Sequence, residues 1–150
     1  MASTSESDKF GSNNKVTMYD HDPGDTAAND VGWVDMNGYG GFVAIIFCSA
    51  LGGNGATAFT INANSSSTGA GTDAEVKSHA VSSAPDAVGD WLILECTAEE
   101  IRSVETAATG QLRYVTAIIT NHHNDDEEVV TYIRTDPRFA KDGLTVDTVA

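Results

Sequence analysis

Apolar and polar residues alternate over short segments along most of this chain. A period of two residues places successive side chains on opposite faces of a β-strand. In the segment "ATAFTINA", the apolar residues Phe59, Ile61 and Ala63 share one face, and polar residues occupy the other. This segment is therefore predicted to be a half-buried strand.

Other segments have strand-like composition, and clusters rich in Gly, Ser, Asn and Asp separate them. They are "WVDM", "GFVAIIFCSA", "AEVKSHAV", "WLILEC", "LRYVTAIIT" and "VVTYIR". The second is apolar on both faces between Phe42 and Cys48, which predicts a central strand covered on both sides. About seven short strands with turn-forming connections predict an all-β, antiparallel fold, either a β-sandwich or a jelly-roll-like body.

A single helical signal interrupts the strands. Thr97 can act as an N-cap, and Glu100 follows it at the spacing of a capping box. The sequence predicts one short helical turn there. Around the strands, we expect residues 1–15 to form a polar, flexible arm, residues 16–140 a single β-domain, and residues 141–150 a C-terminal tail. The stretch "DHDPGDTAANDVG" is predicted to be turn or loop.

The most acidic stretch, "TNHHNDDEE", lies between the last two predicted strands. Its flanks can pair as a hairpin, with Ile118 opposite Val130 and Thr116 opposite Tyr132. The core face of that hairpin would carry Val115, Ala117, Ile119, Val129, Thr131 and Ile133. Residues 121–127 would then form a solvated loop.

Candidate chemistry in this loop is sparse. His122 and His123 are adjacent, so they point to opposite sides of an extended chain and do not readily bind one metal ion. Weak calcium binding by Asp125, Asp126 and Glu127 stays open, because hard cations tolerate irregular loops. No set of nucleophile, base and orienting group can be assembled from the sequence. We therefore expect no catalytic residue, no metal and no cofactor, and a protein that is not an enzyme.

Charge narrows the possible partners. The chain of 150 residues has 22 Asp and Glu against 8 Lys and Arg, a net charge of −14 at pH 7. This balance disfavours nucleic acids and anionic membranes as partners. No apolar run approaches the roughly 18 residues of a membrane span, and the N-terminus lacks the features of a signal peptide, so synthesis in a cytoplasm is expected. Cys48 and Cys96 lie in apolar segments and are predicted to be buried free thiols, with a disulfide between neighbouring strands as the alternative.

The order of these segments resembles that of small virion proteins encoded among the head genes of tailed bacteriophages. The resemblance rests on "AIIFCSALGGNGATAFTINANSSSTGAGTD", "GDWLILECTAEEI" and "LRYVTAIITNHH", and it covers roughly residues 40 to 140. In that family, a strand and a Gly-rich turn precede a second strand, and a strand of the form R-Y-V-x-A-x-I comes later. Arg113 to Ile119 match that later strand, and Arg134 to Arg138 match the Arg-rich ending.

The resemblance implies a capsid decoration (cement) protein, a β-sandwich bound to the outside of an icosahedral shell, often as a trimer. Its partners would be the major capsid protein and further copies of itself, with no nucleic acid and no membrane. It would be made in the host cytoplasm and reside on the capsid surface of the virion. The expected contacts are Phe10 in the arm and the basic residues Arg134, Arg138 and Lys141.

Other functions remain open. A tail-tube or head–tail connector protein would also be a virion component. A carbohydrate-binding or adhesion β-sandwich would use exposed Trp33, Tyr39 or Tyr19 as a sugar platform, although Trp33 and Trp91 are predicted to lie in the core. A metal-dependent enzyme would use His122 and His123.

Overall fold

The computed structural model describes residues 14–52, 58–79, 85–137 and 147–148, and its secondary structure is almost entirely β. The strands are β1 (Lys15–His21), β2 (Ala28–Asp30), β3 (Val34–Asp35), β4 (Tyr39–Ala50), β5 (Ala58–Asn64), β6 (Ala74–Ser78), β7 (Trp91–Thr97), β8 (Tyr114–Thr120), β9 (Glu127–Pro137) and β10 (Asp147–Thr148). One helix, α1 (Ala98–Ser103), follows β7.

The strands form two sheets. Sheet A has the order β10–β1–β9–β4–β7, and sheet B has the order β2–β8–β5–β6. β3 also pairs with β8, along the same edge as β2 but nearer the start of β8. All pairs are antiparallel except β1 with β10. The predicted all-β sandwich with one short helix is therefore confirmed.

Alternation along the strands fills the space between the sheets. On β4, Phe42, Ala44, Ile46 and Cys48 point inward and are fully buried. The predicted face of β5, with Phe59, Ile61 and Ala63, is buried on the opposing sheet. Both cysteines are free and buried, as the sequence predicted.

The helix follows its predicted cap. The Glu100 amide donates to the Thr97 hydroxyl at 3.1 Å, and the Thr97 amide donates to the Glu100 carboxylate at 2.8 Å. These reciprocal bonds satisfy two amides that a helix start leaves unpaired. Ile101 packs into the core from this helix with 2% of its surface exposed.

Strands β1, β2 and β10 were not predicted. The inward positions of β1 include Thr17 and His21, so its alternation presents no continuous apolar face. β2 lies within the stretch predicted to be loop, and it is only three residues long. β10 falls within the predicted C-terminal tail, yet it pairs with β1 in sheet A.

The predicted hairpin of β8 and β9 is wrong. β8 pairs with β5, β2 and β3 in sheet B, whereas β9 pairs with β1 and β4 in sheet A. The connection between β8 and β9 therefore crosses from one sheet to the other. The predicted core residues of β8 are buried, but β9 turns Val130 and Tyr132 inward and leaves Ile133 half-buried on its outer side.

Tyr132 joins the two sheets through a hydrogen bond. Its hydroxyl oxygen, carried by β9, accepts the backbone N–H of Ala117 in β8 at 2.6 Å. The Thr116 hydroxyl lies 3.3 Å from the same oxygen. The Ala117 carbonyl accepts the amide of Val31, where the chain passes between β2 and β3. The Tyr132 hydroxyl thus serves as the hydrogen-bond acceptor for the Ala117 amide at the gap between β2 and β3.

Aromatic packing and a glycine hold Tyr132 in place. Its ring lies 4.9 Å from the Phe42 ring and 5.1 Å from the Tyr19 ring, measured between centroids. The Tyr19 ring in turn lies against Gly32, where a Cβ atom would approach it to 2.6 Å. Any larger residue at position 32 would have to displace this ring.

We predict that Tyr132→Phe lowers the free energy of unfolding by about 1–3 kcal/mol, because the buried Ala117 amide loses its acceptor. Tyr114→Phe is the control, since Tyr114 is a half-buried tyrosine on β8 in the opposite sheet, and it should change stability by less than about 0.5 kcal/mol. Urea unfolding at constant m-value measures both variants. Equal losses in the two variants would contradict a specific role for the Tyr132 hydroxyl.

Candidate docking surface

The outer face of sheet A is unusually apolar for a sheet face that other parts of the described chain do not cover. The register aligns its outward residues in rows across β7, β4, β9 and β1. We call the apolar members of these rows the apolar face: Trp91, Phe47 and Val129 in one row, Ile93, Ile45 and Met18 in the next, and Val43, Ile133 and Val16 in the third. The remaining outward positions of the three rows hold Asp20, Thr131 and Glu95, respectively. Trp91 is 63% exposed and Ile93 44% exposed.

This arrangement is unlike that of an ordinary antiparallel sheet. A sheet with one face in water normally alternates apolar residues inward with polar residues outward. β4 instead carries Val43, Ile45 and Phe47 outward, and its prediction as a strand covered on both sides holds only for the inner side, because Phe47 is 42% exposed. Clustered exposed apolar residues of this kind mark interaction surfaces.

One end of the sandwich is strongly acidic. We call it the acidic end, where β1, β4 and β8 finish and β7 and β9 begin. Its carboxylates are Asp20, Asp22, Asp25, Asp30, Asp86, Asp90, Asp125, Asp126, Glu127 and Glu128. In the described residues, the Lys and Arg side chains belong to the other end, where Arg113 pairs with Asp35 and Lys77 with Glu100.

Asp126 organises the loop of the acidic end. One carboxylate oxygen accepts the Gly52 amide at 2.8 Å, and the other accepts the amides of His122 and His123 at 2.9 and 2.8 Å. Asp126 is 1% exposed, so the prediction that this carboxylate is solvated is wrong. His122, His123 and Asp125 are exposed, as the predicted loop requires.

The loop does not assemble a metal site. Within the part of the chain that the structure describes, no group of three or more His, Cys, Asp or Glu side chains could hold a metal ion. Asp126 was a candidate calcium ligand together with Asp125 and Glu127, but its oxygens are directed at backbone N–H donors. The backbone amides of His122 and His123 both donate to the Asp126 carboxylate.

A second group of ionisable residues lies beneath the acidic end. His21, Glu128 and Cys48 occupy one row across β1, β9 and β4, and all three are buried. Neither Glu128 oxygen nor the His21 Nε2 atom has a hydrogen-bond partner among the described residues. The sequence pattern did not reveal this row, because Glu128 ends an acidic run and β1 was not predicted.

Burial favours the neutral form of each group in this row. It raises the pKa of Glu128 to about 7, with further increases from Asp126, Glu127 and Asp22. It lowers the pKa of His21, against the opposing effect of nearby carboxylates. It raises the pKa of Cys48 to about 12. Cysteine, histidine and carboxylate are the residue types of a thiol protease, but a Cys48 thiol that stays protonated at neutral pH is a poor nucleophile.

The expected contact residues fall in different places. Arg134 is only 8% exposed, because its guanidinium donates to the Asp35 carbonyl at 2.8 Å and lies 5.0 Å from the centre of the Tyr39 ring. Little of Arg134 is therefore left for a partner. Phe10, Arg138 and Lys141 lie outside the described residues, and their contacts stay predictions.

The proposed sugar platform is not formed. Tyr39 is 4% exposed and Tyr19 packs against Tyr132, while the half-buried Trp33 ring lies against Gly69. Trp91, predicted to be in the core, is instead the most exposed of the large apolar side chains in the described strands. The segment "WLILEC" is apolar at both parities, so its pattern alone does not reveal which side faces inward.

The sequence matches no protein-family model and no curated protein. No helix within the described ranges is long and apolar enough to cross a membrane.

We predict that Glu128→Gln stabilises the protein at pH 8 much more than at pH 5. A carboxyl whose folded pKa is raised contributes stability below its unfolded pKa, near 4.5, and this contribution is lost as the pH rises to about 7. The gain at pH 8 should be on the order of 1–3 kcal/mol. Thermal unfolding at both pH values measures it.

Asp125→Asn is the matched control, because it removes an exposed carboxyl from the loop that leads into β9. It should shift the melting temperature little at either pH. A Glu128→Gln effect that does not depend on pH would show that the folded protein does not hold a neutral Glu128.

Proposed function

We propose that this protein is a virion structural protein that binds the outer surface of a bacteriophage capsid and stabilises the shell. The observation that carries the proposal is the apolar face, an exposed apolar surface on a rigid five-stranded sheet. Such a surface gains free energy when another protein covers it. The resemblance of segments between residues 40 and 140 to phage decoration proteins supplies the class of partner.

The proposed mechanism is binding without catalysis. A decoration protein bridges adjacent shell subunits, so that its summed contacts resist the outward pressure of packaged DNA. The partner is then the major capsid protein, and a trimer is the assembly that the resemblance implies. The net charge of −14 suits a protein on the outside of the shell, because it disfavours contact with the DNA inside.

The buried row of His21, Glu128 and Cys48 supports a role that is not enzymatic. Catalysis by a thiol requires a thiolate next to a base that can take its proton. Here the Cys48 pKa is raised to about 12, and the His21 Nε2 atom has no hydrogen bond from any described residue. This row can therefore act on stability, as the Glu128 prediction states, but it lacks the features of a reactive centre.

A carbohydrate-binding sandwich is a second candidate, and one observation favours it. Trp91 and Phe47 are paired in register and both exposed, which is a flat aromatic surface of the kind that sugars stack on. A tail-tube or connector protein, the other virion alternative, would assemble into rings as an isolated protein. Glycan binding that requires Trp91, or rings seen in electron micrographs, would favour these alternatives.

We predict that Trp91→Gln weakens binding to undecorated capsids of the encoding phage by about tenfold or more, because a large aromatic side chain that a partner covers carries much of the binding energy. Ile118→Gln is the control, since Ile118 lies half-buried on the opposite sheet. Co-sedimentation with bare shells measures both variants. If the parent protein does not bind shells, or if Trp91→Gln binds as well as Ile118→Gln, the proposal fails.

A further inference from the structure

Resting on this proposed function, we infer that the apolar face and the adjoining acidic residues form one docking surface, whose partner is a protein surface with an apolar patch flanked by Lys and Arg. The inference concerns the chemistry of the partner. It rests on how charge and exposed apolar area are arranged around sheet A.

The acidic end adjoins the most exposed row of the apolar face. Asp20 is exposed and lies opposite Val129 in the register, on the same outer side of β1. Strand alternation places Glu127 on the outer side of β9, two residues before Val129. A partner that covers Trp91 and Phe47 therefore meets carboxylates along one border.

No cation lies beside the Trp91 row of this face among the described residues, whereas Lys77 lines a pocket with Val43 and Glu95 at the third row. Lys15 and Arg134 occupy a paired row on the inner side of sheet A. Lys77 lies beyond the free edge of β7 and bonds Glu100 at 2.9 Å. Arg102 and Arg113 belong to α1 and to the segment leading into β8. The carboxylates of Asp20 and Glu127 are thus available for cations from a partner.

The apolar face alone is smaller than a stable interface, so residues along its border must also contact the partner. Four strands about 4.8 Å apart and three rows about 7 Å apart give an area on the order of 400 Å². A stable specific interface covers about 800 Å² on each partner. The partner must therefore extend past the apolar residues, and on the Trp91 side it reaches the acidic border.

Two other occupants fit less well. A second copy packed face to face would offer no cation from the three rows of this face to pair with either acidic border. The N-terminal residues before Asn14 contain only Met1 and Phe10 as large apolar side chains, too few to cover three apolar rows. Charge complementarity favours a different protein.

A salt-dependent affinity should distinguish this partner from a purely apolar one. Exposed ion pairs at the border of an interface add little energy each, but they strengthen binding at low salt and are screened as salt rises. Binding should therefore depend on Trp91 at every salt concentration. It should depend on Asp20 and Glu127 chiefly at low salt.

The first experiment uses the full chain and a labelled amphipathic helical peptide, with Leu along one face and Lys on both sides of it. Fluorescence anisotropy at 50 and 300 mM NaCl gives the Kd. We expect Trp91→Gln to weaken binding about tenfold. The double variant Asp20→Asn/Glu127→Gln should weaken it several-fold at 50 mM NaCl and much less at 300 mM. Glu75→Gln, which removes an exposed carboxyl from sheet B, is the control and should bind like the parent.

The second experiment repeats the salt series and variants with undecorated capsids. Peptide binding at this face without shell binding would overturn the proposed function and leave the partner chemistry standing. Shell binding that needs Trp91 but ignores salt and Asp20 would overturn the partner chemistry and leave the function standing. Dimers of the parent protein that Trp91→Gln abolishes would make a second copy the occupant and overturn the inference. Peptide binding unaffected by Trp91→Gln would overturn it as well.

Discussion

The hydrogen bond from the Ala117 amide to the Tyr132 hydroxyl is the constraint on which the arrangement of the two sheets depends. It links a strand of sheet B to a strand of sheet A at 2.6 Å between two fully buried residues. The donor is available because β2 and β3 pair with different parts of β8 and leave a gap between them. The acceptor reaches it because Gly32 leaves room for the Tyr19 ring that packs on Tyr132. Sheet spacing, strand parity and the path of residues 28–35 are thereby fixed together.

Local signals in the sequence were enough to predict the fold class, and they failed where tertiary structure decides. The alternation in β5 and the capping box of α1 depend on residues within a few positions of each other, and both predictions are confirmed. The β8–β9 pairing failed because a hairpin and a crossing between sheets have similar sequences. Assuming the hairpin assigned Ile133 to the core in place of Tyr132. Only contacts with β4 and β1 reveal the true parity of β9.

Part of the candidate docking surface could be inferred from the sequence. The segment "GFVAIIFCSA" is apolar at both parities, which indicated a strand covered on both sides. The pattern did not indicate that the described part of the chain leaves the outer side uncovered. The buried Glu128 could not be found in this way, because a carboxylate that ends an acidic run normally points to water. Its burial follows from the turn that Asp126 builds, in which three backbone amides converge on one side chain.

The burial of both thiols has a practical consequence for imaging and spectroscopy. Cys48 and Cys96 are the two cysteines of the chain, both are buried, and burial raises the pKa of each thiol to about 12. Maleimide chemistry at neutral pH needs an accessible thiolate, so neither residue competes for the reagent while the protein is folded. A cysteine introduced at the exposed Asn124 would therefore take a fluorophore or gold cluster selectively. The native thiols could stay in place, and the orientation of the sandwich on a particle could be read from the position of the label.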